Sequence, residues 1–405
     1  MRILMLGWEF PPFYSGGLGV ASKSIAEAIA SHGINVTFAI PYFVFDKVRK
    51  NDLGNLPFEL VSGKLESFTW YSVPTAIKSP YISEDEYATV FEDAGVSSGF
   101  HMYGASLFAE IERYAQEMEK FVEGKHFDII HAHDWITFHA ARRIKKRLGI
   151  PFIAHVHATE FDRTGNHPNQ AIYDMERESL EDAEKIIAVS NYTKGILMAH
   201  YGIPGEKIEV VHNGREEIQT SRDRILHREK KTVLFLGRLT LQKGPDWFVK
   251  IAEKVLSYRK DVEFIIGGTG DMMGKILNEI LQKGLQENVF CLGFLGEEDR
   301  EYAFASADVY VMPSVSEPFG LSAVEAAQRG IPVILSHQSG AKEVISHSLC
   351  ADFWDIEKMA NHILAVLEYS PLSKMLSEKS GQEVARLSWK EQVKKIIQMY
   401  HSFVM

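Results

Sequence analysis

The chain has 405 residues, a formal net charge of −10 at pH 7 and 45% hydrophobic residues, enough for two domains with a core each. That acidic balance argues against a general nucleic-acid binder, which wants a basic surface. The two cysteines, Cys291 and Cys350, make neither a disulfide framework nor a zinc site. No apolar run approaches the roughly 18 residues of a membrane span. The start MRILMLGWEFPP runs straight into strand and turn residues and lacks a signal-peptide cleavage site. A cytoplasmic protein is expected.

Residues 2–7 read as a buried strand, and residues 20–33 as a helix with Val20, Ile25, Ala28 and Ile29 at helical spacing, closed by Gly33. Between them Gly16, Gly17 and Leu18 form a turn of the kind that brings backbone N–H groups against a phosphate. It lacks the G-x-G-x-x-G pattern of nicotinamide enzymes. Residues 34–40 are a second strand, and from Pro41 to about Gly99 the pattern is irregular, with short strand-like pieces such as SFTWYSV and acidic stretches such as SEDEYATVFEDAG. After a helix over 103–122, FDIIHAHDW is a strand entering a loop, with His131, His133, Asp134 and Trp135 clustered at its end. No carboxylate or cysteine pattern completes a ligand set there, so no metal is expected. Asp134 is placed to cap a helix beginning at Trp135.

The stretch PFIAHVHATEFDR then runs a buried strand into His155, His157, Glu160, Asp162 and Arg163. A histidine at a strand end beside a polar loop suits sugar hydroxyls, whereas a core histidine needs a fixed partner. A charged helix over 170–182, a strand–turn–helix in KIIAVSNYTKGIL and a strand in IEVVHNG complete the first half. Residues 215–231 lack apolar periodicity and read as a linker.

The second half repeats the pattern. Arg238 and Lys243 lie in the turn between a buried strand and a helix starting near Pro245, where two cations suit a diphosphate. VEFIIGGTGD carries Gly268 and Gly270 in a strand-to-turn exit, and NVFCLGFL is followed by a helix from Glu297. Residues 307–311 are a short buried strand, and a helix runs from Gly320–Leu321 to Arg329, closed by Gly330 with Pro332 beyond. Glu317, Pro318, Phe319 and Gly320 thus form a loop at a strand's carboxyl end, facing a helix N-terminus, where open α/β sheets bind ligands. Glu325 is about two turns into that helix, so Glu317 and Glu325 flank one ligand position. After a helix at 356–368, the tail places Trp389, Val393, Ile396, Ile397 and Tyr400 on one apolar stripe, a seat on the first half or a dimer face.

E-P-F-G-L-x-x-x-E, Glu317 to Glu325, resembles the E-x7-E element of retaining GT-B glycosyltransferases of the family 4/5 group that includes glycogen and starch synthases. G-G-L at 16–18, H-A-H-D-W at 131–135 and R-L-x-x-x-K-G at 238–244 are similar to that family's motifs in the same order. The resemblance implies two Rossmann-like doubly wound domains with a cleft between them: an acceptor-side domain over 1–214, a linker over 215–231, a nucleotide-sugar domain over 232–387, and a last helix over 388–405 crossing back. It implies Gly16, Gly17, Leu18, Gly268, Gly270, Pro318, Phe319, Gly320, Leu321 and Glu325 at the donor, with Glu325 on the ribose. Arg238 and Lys243 would hold the diphosphate, and His157 and Glu317 the sugar hydroxyls. His133, Asp134, Trp135 and Glu160 would line the sugar pocket, residues 41–99 would add insertions on the acceptor side, and the G-x-x-E turn at 340–343 would face the donor. No cofactor is implied. Two departures from starch synthases stand out: Ser15 where that family has lysine, and Ala158 after His157 where it has asparagine. The function implied is transfer of glucose from ADP- or UDP-glucose to a glucan or other carbohydrate. The alternatives are a mannosyltransferase or trehalose/sucrose-type synthase of the same fold, a sugar-nucleotide epimerase, and a non-catalytic nucleotide-sugar-binding protein.

Overall fold

The computed structural model describes residues 1–9, 17–43, 68–75, 106–215 and 230–404. Its first half runs β1 (Arg2–Leu6), α1 (Gly17–Ala30), β2 (Asn35–Phe43), β3 (Phe68–Thr75), α2 (Leu107–Phe121), β4 (Ile129–His133), α3 (Trp135–Leu148), β5 (Phe152–Val156), α4 (Glu160–Thr164), α5 (Gln170–Asp182), β6 (Lys185–Ala188), α6 (Asn191–Tyr201) and β7 (Ile208–Val210). The strands pair in the order β3-β2-β1-β4-β5-β6-β7, all parallel. Helices cover both faces, which is why β1, β4 and β5 read as continuous apolar runs rather than alternating ones.

The second half runs β8 (Lys231–Leu236), α7 (Pro245–Tyr258), β9 (Val262–Gly267), α8 (Met273–Gln282), β10 (Val289–Gly293), α9 (Glu297–Ser306), β11 (Val309–Met312), α10 (Leu321–Gln328), β12 (Val333–Ser336), β13 (Leu349–Ala351), α11 (Ile356–Glu368), α12 (Ser370–Val384) and α13 (Trp389–Val404). Its strand order is β10-β9-β8-β11-β12-β13, again all parallel. Both sheets reverse direction of growth beside their first strand, β1 or β8. The expected pair of doubly wound Rossmann-like sheets is what the chain forms, and the carboxyl ends beside β1 and β8 are the positions where such sheets place ligands.

Three features depart from the sequence reading. β2 runs on through Phe43 and pairs with β3, so part of the stretch expected to be irregular supplies the sheet's edge; the remainder of 41–99 lies outside the described residues. α12 forms where no element was expected, because Ser370-Pro371 opens a helix with proline in its first turn. α13 settles the choice between its two expected seats: Trp389, Val393, Ile396, Met399 and Tyr400 are buried with Ile3, Met5, Ile25 and Ile29 of the first half.

Candidate active site

On the second half, β8 ends in Gly237-Arg238-Leu239 and a one-turn 3₁₀ helix (Leu241–Lys243) leads to α7. Gly244 caps α7 at φ 65°, and a Cβ there would lie 2.3 Å from the carbonyl oxygen of Pro313. Only glycine lets this turn approach the β11–α10 loop so closely. Val315 N donates to Gln242 O at 2.9 Å and joins the two loops. The Nζ of Lys243 donates to Oε2 of buried Glu317 at 2.6 Å, and Ser314 Oγ reaches the same oxygen at 3.4 Å. Arg238 sits half-buried in the same turn.

Pro318, Phe319 and Gly320 carry the chain into α10, with Phe319 buried and Gly320 at φ 88°. Across the cleft, Gly17 opens α1, and a Cβ on it would meet Leu321 Cδ1 at 3.1 Å. The two helix N-termini therefore face each other, with Leu18 buried behind Gly17 and Gly16 outside the described residues. Glu325 lies just over one turn into α10 rather than two, 3.6 Å from Arg300 Nη1. The bareness of Gly268 and Gly270 has a local cause: Cβ atoms there would strike the carbonyls of Gly237 and Leu239 at 1.9 and 2.4 Å.

On the first half, His131, His133, His155 and His157 are all buried on one face of β4 and β5. His133 Nδ1 meets His157 Nε2 at 2.9 Å, and His131 Nε2 meets His155 Nδ1 at 3.1 Å. Burial holds all four well below the ordinary histidine range, His131 and His157 at about 3, so each ring is neutral. His131, His133 and His155 are the residues among those described whose ligand atoms gather as a metal site would need, within 4.8 Å of one another. Their rings are stacked within 25° of parallel, however. An ion bound at about 2.0 Å needs converging lone pairs, which stacked rings hold side by side. The arrangement is that of a hydrogen-bonded stack.

Several expected pocket residues are placed otherwise. Asp134 stands at the start of α3 but does not cap it; at φ 59° its Oδ1 accepts from His157 N at 2.7 Å and Ala158 N at 3.4 Å. It thereby holds the β5 exit, and burial raises it to about 7 against the pull of Arg163 and those two N–H groups. Trp135 is 1% exposed in the first core, with the Arg163 guanidinium 5.8 Å from its ring. Glu160 is spent on Arg163 at 3.0 Å and on Asn169 N at 3.2 Å, within a buried network that includes Glu176 and Tyr201. Trp135 thus sits in the first core and Glu160 in this network, rather than standing exposed on a cleft wall.

The structure also brings together residues not expected to meet. Ser316 donates to Asp162 Oδ1 and meets Tyr192 OH at 2.9 Å. Glu343 is turned to the first half rather than toward the expected donor position. It accepts from Asn191 N and Nδ2 at 2.9 Å each, Tyr192 N at 2.8 Å and His212 Nε2 at 2.9 Å. Of these donors, Asn191 N and Tyr192 N are the first backbone N–H groups of α6, so an anion there satisfies donors a helix leaves open. The G-x-x-E spacing marks Glu343 in the sequence but carries no sign of its direction.

Residues 79–217 match the family described as Glycosyltransferase Family 4, and residues 217–383 the family described as Glycosyl transferases group 1. The chain is 29% identical over 369 residues to an uncharacterized glycosyltransferase, MJ1607, of Methanocaldococcus jannaschii, with 86% of this chain and 84% of the relative covered. It is 25% identical over 357 residues to the glycogen synthase of Mycobacterium tuberculosis, with 85% and 80% covered. The crystal structure of HepE from Anabaena in complex with UDP and glucose matches with a TM-score of 0.70 at 17% identity, covering 99% of this chain and 100% of that one.

Proposed function

This chain belongs to the GT-B glycosyltransferases of glycogen synthase type, and from that premise we propose that it moves a glucosyl unit from ADP- or UDP-glucose to an α-glucan or other carbohydrate, with retention. The observation that carries the reading is the meeting of two helix N-termini, at Gly17 and Leu321, beside the Lys243–Glu317 pair. A departing diphosphate needs preorganised positive charge, and the open N–H groups of α1 and α10 with Arg238 and Lys243 supply it. Glu317 orients Lys243 and offers its oxygens to sugar hydroxyls, His157 takes a further hydroxyl from the first half, and Glu325 holds the ribose. The leaving phosphate then accepts the acceptor's proton, on the face from which the sugar departs. Two half-buried cysteines, both free, accord with a cytoplasmic setting.

A second reading keeps the site and changes the sugar or acceptor. It rests on Ala158-Thr159 following His157, where Thr159 forms a capping box with Asp162 instead of presenting an amide. The test is nucleotide release from ADP-glucose, UDP-glucose and GDP-mannose, each with and without glycogen, maltose and glucose. Release from a glucose donor that depends on glycogen or maltose is the expected result. Release only from the mannose donor, or only with a monosaccharide, selects the second reading. Acceptor-independent turnover of the nucleotide sugar without nucleotide release would point to an epimerase instead. Arg238→Ala is expected to abolish transfer.

A further inference from the structure

The transfer chemistry uses the carboxyl ends of the second sheet's strands. At their amino ends, α7 and α11 finish side by side and open a surface cavity of about 660 Å³. Tyr258, the last residue of α7, and Tyr369, just past the end of α11, line it together with Arg259, Asp261, Asn361 and Glu368. The two tyrosines are 67% and 61% exposed, whereas Phe235, Phe248 and Tyr310 of the same half are fully buried. Lys254 Nζ stands 5.2 Å from the centre of the Tyr258 ring and steadies it on one side. Leu364 also lines the cavity and is packed against the second core, so the site rests on a firm base.

The charges in this cavity are spent on one another. Arg259 Nε and Nη2 donate to the two carboxylate oxygens of Asp261 at 2.7 and 2.9 Å, and Nη1 reaches Glu368 Oε2 at 3.4 Å. A phosphate would have to displace two carboxylates from that guanidinium, so an anion gains little here. The Asn361 amide and the Tyr369 hydroxyl have no hydrogen-bond partner among the described residues, and each offers a donor and an acceptor. Two flat apolar rings with a mixed donor–acceptor rim suit a neutral polyol. Sugar rings have C–H faces that lie on aromatic faces, and hydroxyls that both donate and accept.

We infer that the cavity between Tyr258 and Tyr369 is a second carbohydrate site, which holds one chain of a glucan while another chain end enters the cleft. This rests on the reading that the acceptor is an α-glucan. Asp261 precedes the first residue of β9 and Gly268 follows its last, so the length of that strand, roughly 20 Å at about 3.3 Å per residue, separates the cavity from the cleft. A disaccharide reaches one place or the other. A branched polymer reaches both, and the second hold raises the concentration of chain ends at the cleft without altering the chemistry.

Migration of the full chain through native gels with and without glycogen, in the absence of donor, reads binding alone. The wild type is expected to be retarded by glycogen, and Arg238→Ala to be retarded equally although it transfers nothing. Tyr258→Ala/Tyr369→Ala should lose most of the retardation. Leu281→Ala, which removes a comparably exposed apolar side chain from α8, should keep it. In turnover, the tyrosine double variant should show a KM for glycogen raised about tenfold, with kcat and the KM for maltose unchanged. A wild type that glycogen does not retard, equal retardation of the double variant, or a parallel rise in the KM for maltose would overturn the site. Failure of the acceptor reading shows differently. Transfer that ignores glycogen and maltose alike, while the gel shift still depends on the two tyrosines, removes the glucan as acceptor and leaves the cavity a carbohydrate site.

Discussion

Lys243 and Glu317 are the residues at which stability and transfer are most readily separated. The lysine side chain is 20% exposed and the glutamate 5%, so removing the cation strands a carboxylate in a largely dry loop. Breaking such a pair costs about 3 kcal/mol or more, because the remaining charge keeps its desolvation penalty. Lys243→Met should therefore lose that much in urea unfolding, and Lys243→Met/Glu317→Gln should recover most of it. Transfer should recover in neither, since the diphosphate loses its cation in both. If the double variant regained transfer along with stability, the pair would be a structural tie and the diphosphate role would fail. Both residues were legible from local pattern, as a cation in a strand–turn–helix and a carboxylate on a strand-end loop, but their pairing was not. Seventy-four positions separate them, and no periodicity reports which loop packs on which. The inward placement of Asp134, Trp135 and Glu160 was not readable either, because a polar cluster at a strand end can face outward or support the loop from behind. The spacing of two in both H-A-H and H-V-H was the available signal for the histidine stack, since alternate residues of a strand share a face.

At the scale of elements, α13 shows how an apolar stripe acquires a destination. The sequence marked the stripe at 389–400 and left its partner open. The structure seats it on α1 and the first sheet, where Ile396 is 1% exposed and Ile397 is only partly covered. A cavity at a well-packed isoleucine costs about 2–5 kcal/mol, so Ile396→Ala should destabilise the first half by that amount in urea unfolding. Gln398→Ala, on the exposed side of the same helix, should stay within about 0.5 kcal/mol. Equal costs at the two positions would mean that α13 is not part of the first core. The strands and the long helices were readable because buried parallel strands are continuous apolar runs bounded by glycine and proline. β3 falls on the strand-like piece SFTWYSV, although its place at the sheet edge was not readable, and α12 was missed because its apolar face is weak and lies between two stronger helices.

Across the whole molecule, the halves meet at the cleft through the Ser316–Asp162 bond, the apolar packing of Val189 on the second core and one carboxylate tie. Glu343 of the second half binds the first N–H groups of α6 and His212 of the first half. Burial alone would raise its pKa, but the His212 bond and the N–H groups of Asn191 and Tyr192 outweigh it and bring the carboxyl down to about 2. A carboxyl depressed in the folded state adds stability above its ordinary value of 4.5, and that contribution disappears as pH falls toward about 2. The wild type should thus lose thermal stability between about pH 4.5 and 2, with opening of the cleft visible as a larger radius in X-ray scattering. Glu343→Gln keeps a hydrogen-bond acceptor but carries no charge to lose. It should be less stable than the wild type at pH 7 and should fall less steeply through the acid window, so that the two curves converge. Parallel curves would place the acid-sensitive groups elsewhere and leave Glu343 as one polar contact among several. Convergence would make the ionised Glu343 the acid-sensitive tie among the contacts that close the cleft, and transfer, which needs both helix N-termini at the same diphosphate, should then decline with it over the same range of pH.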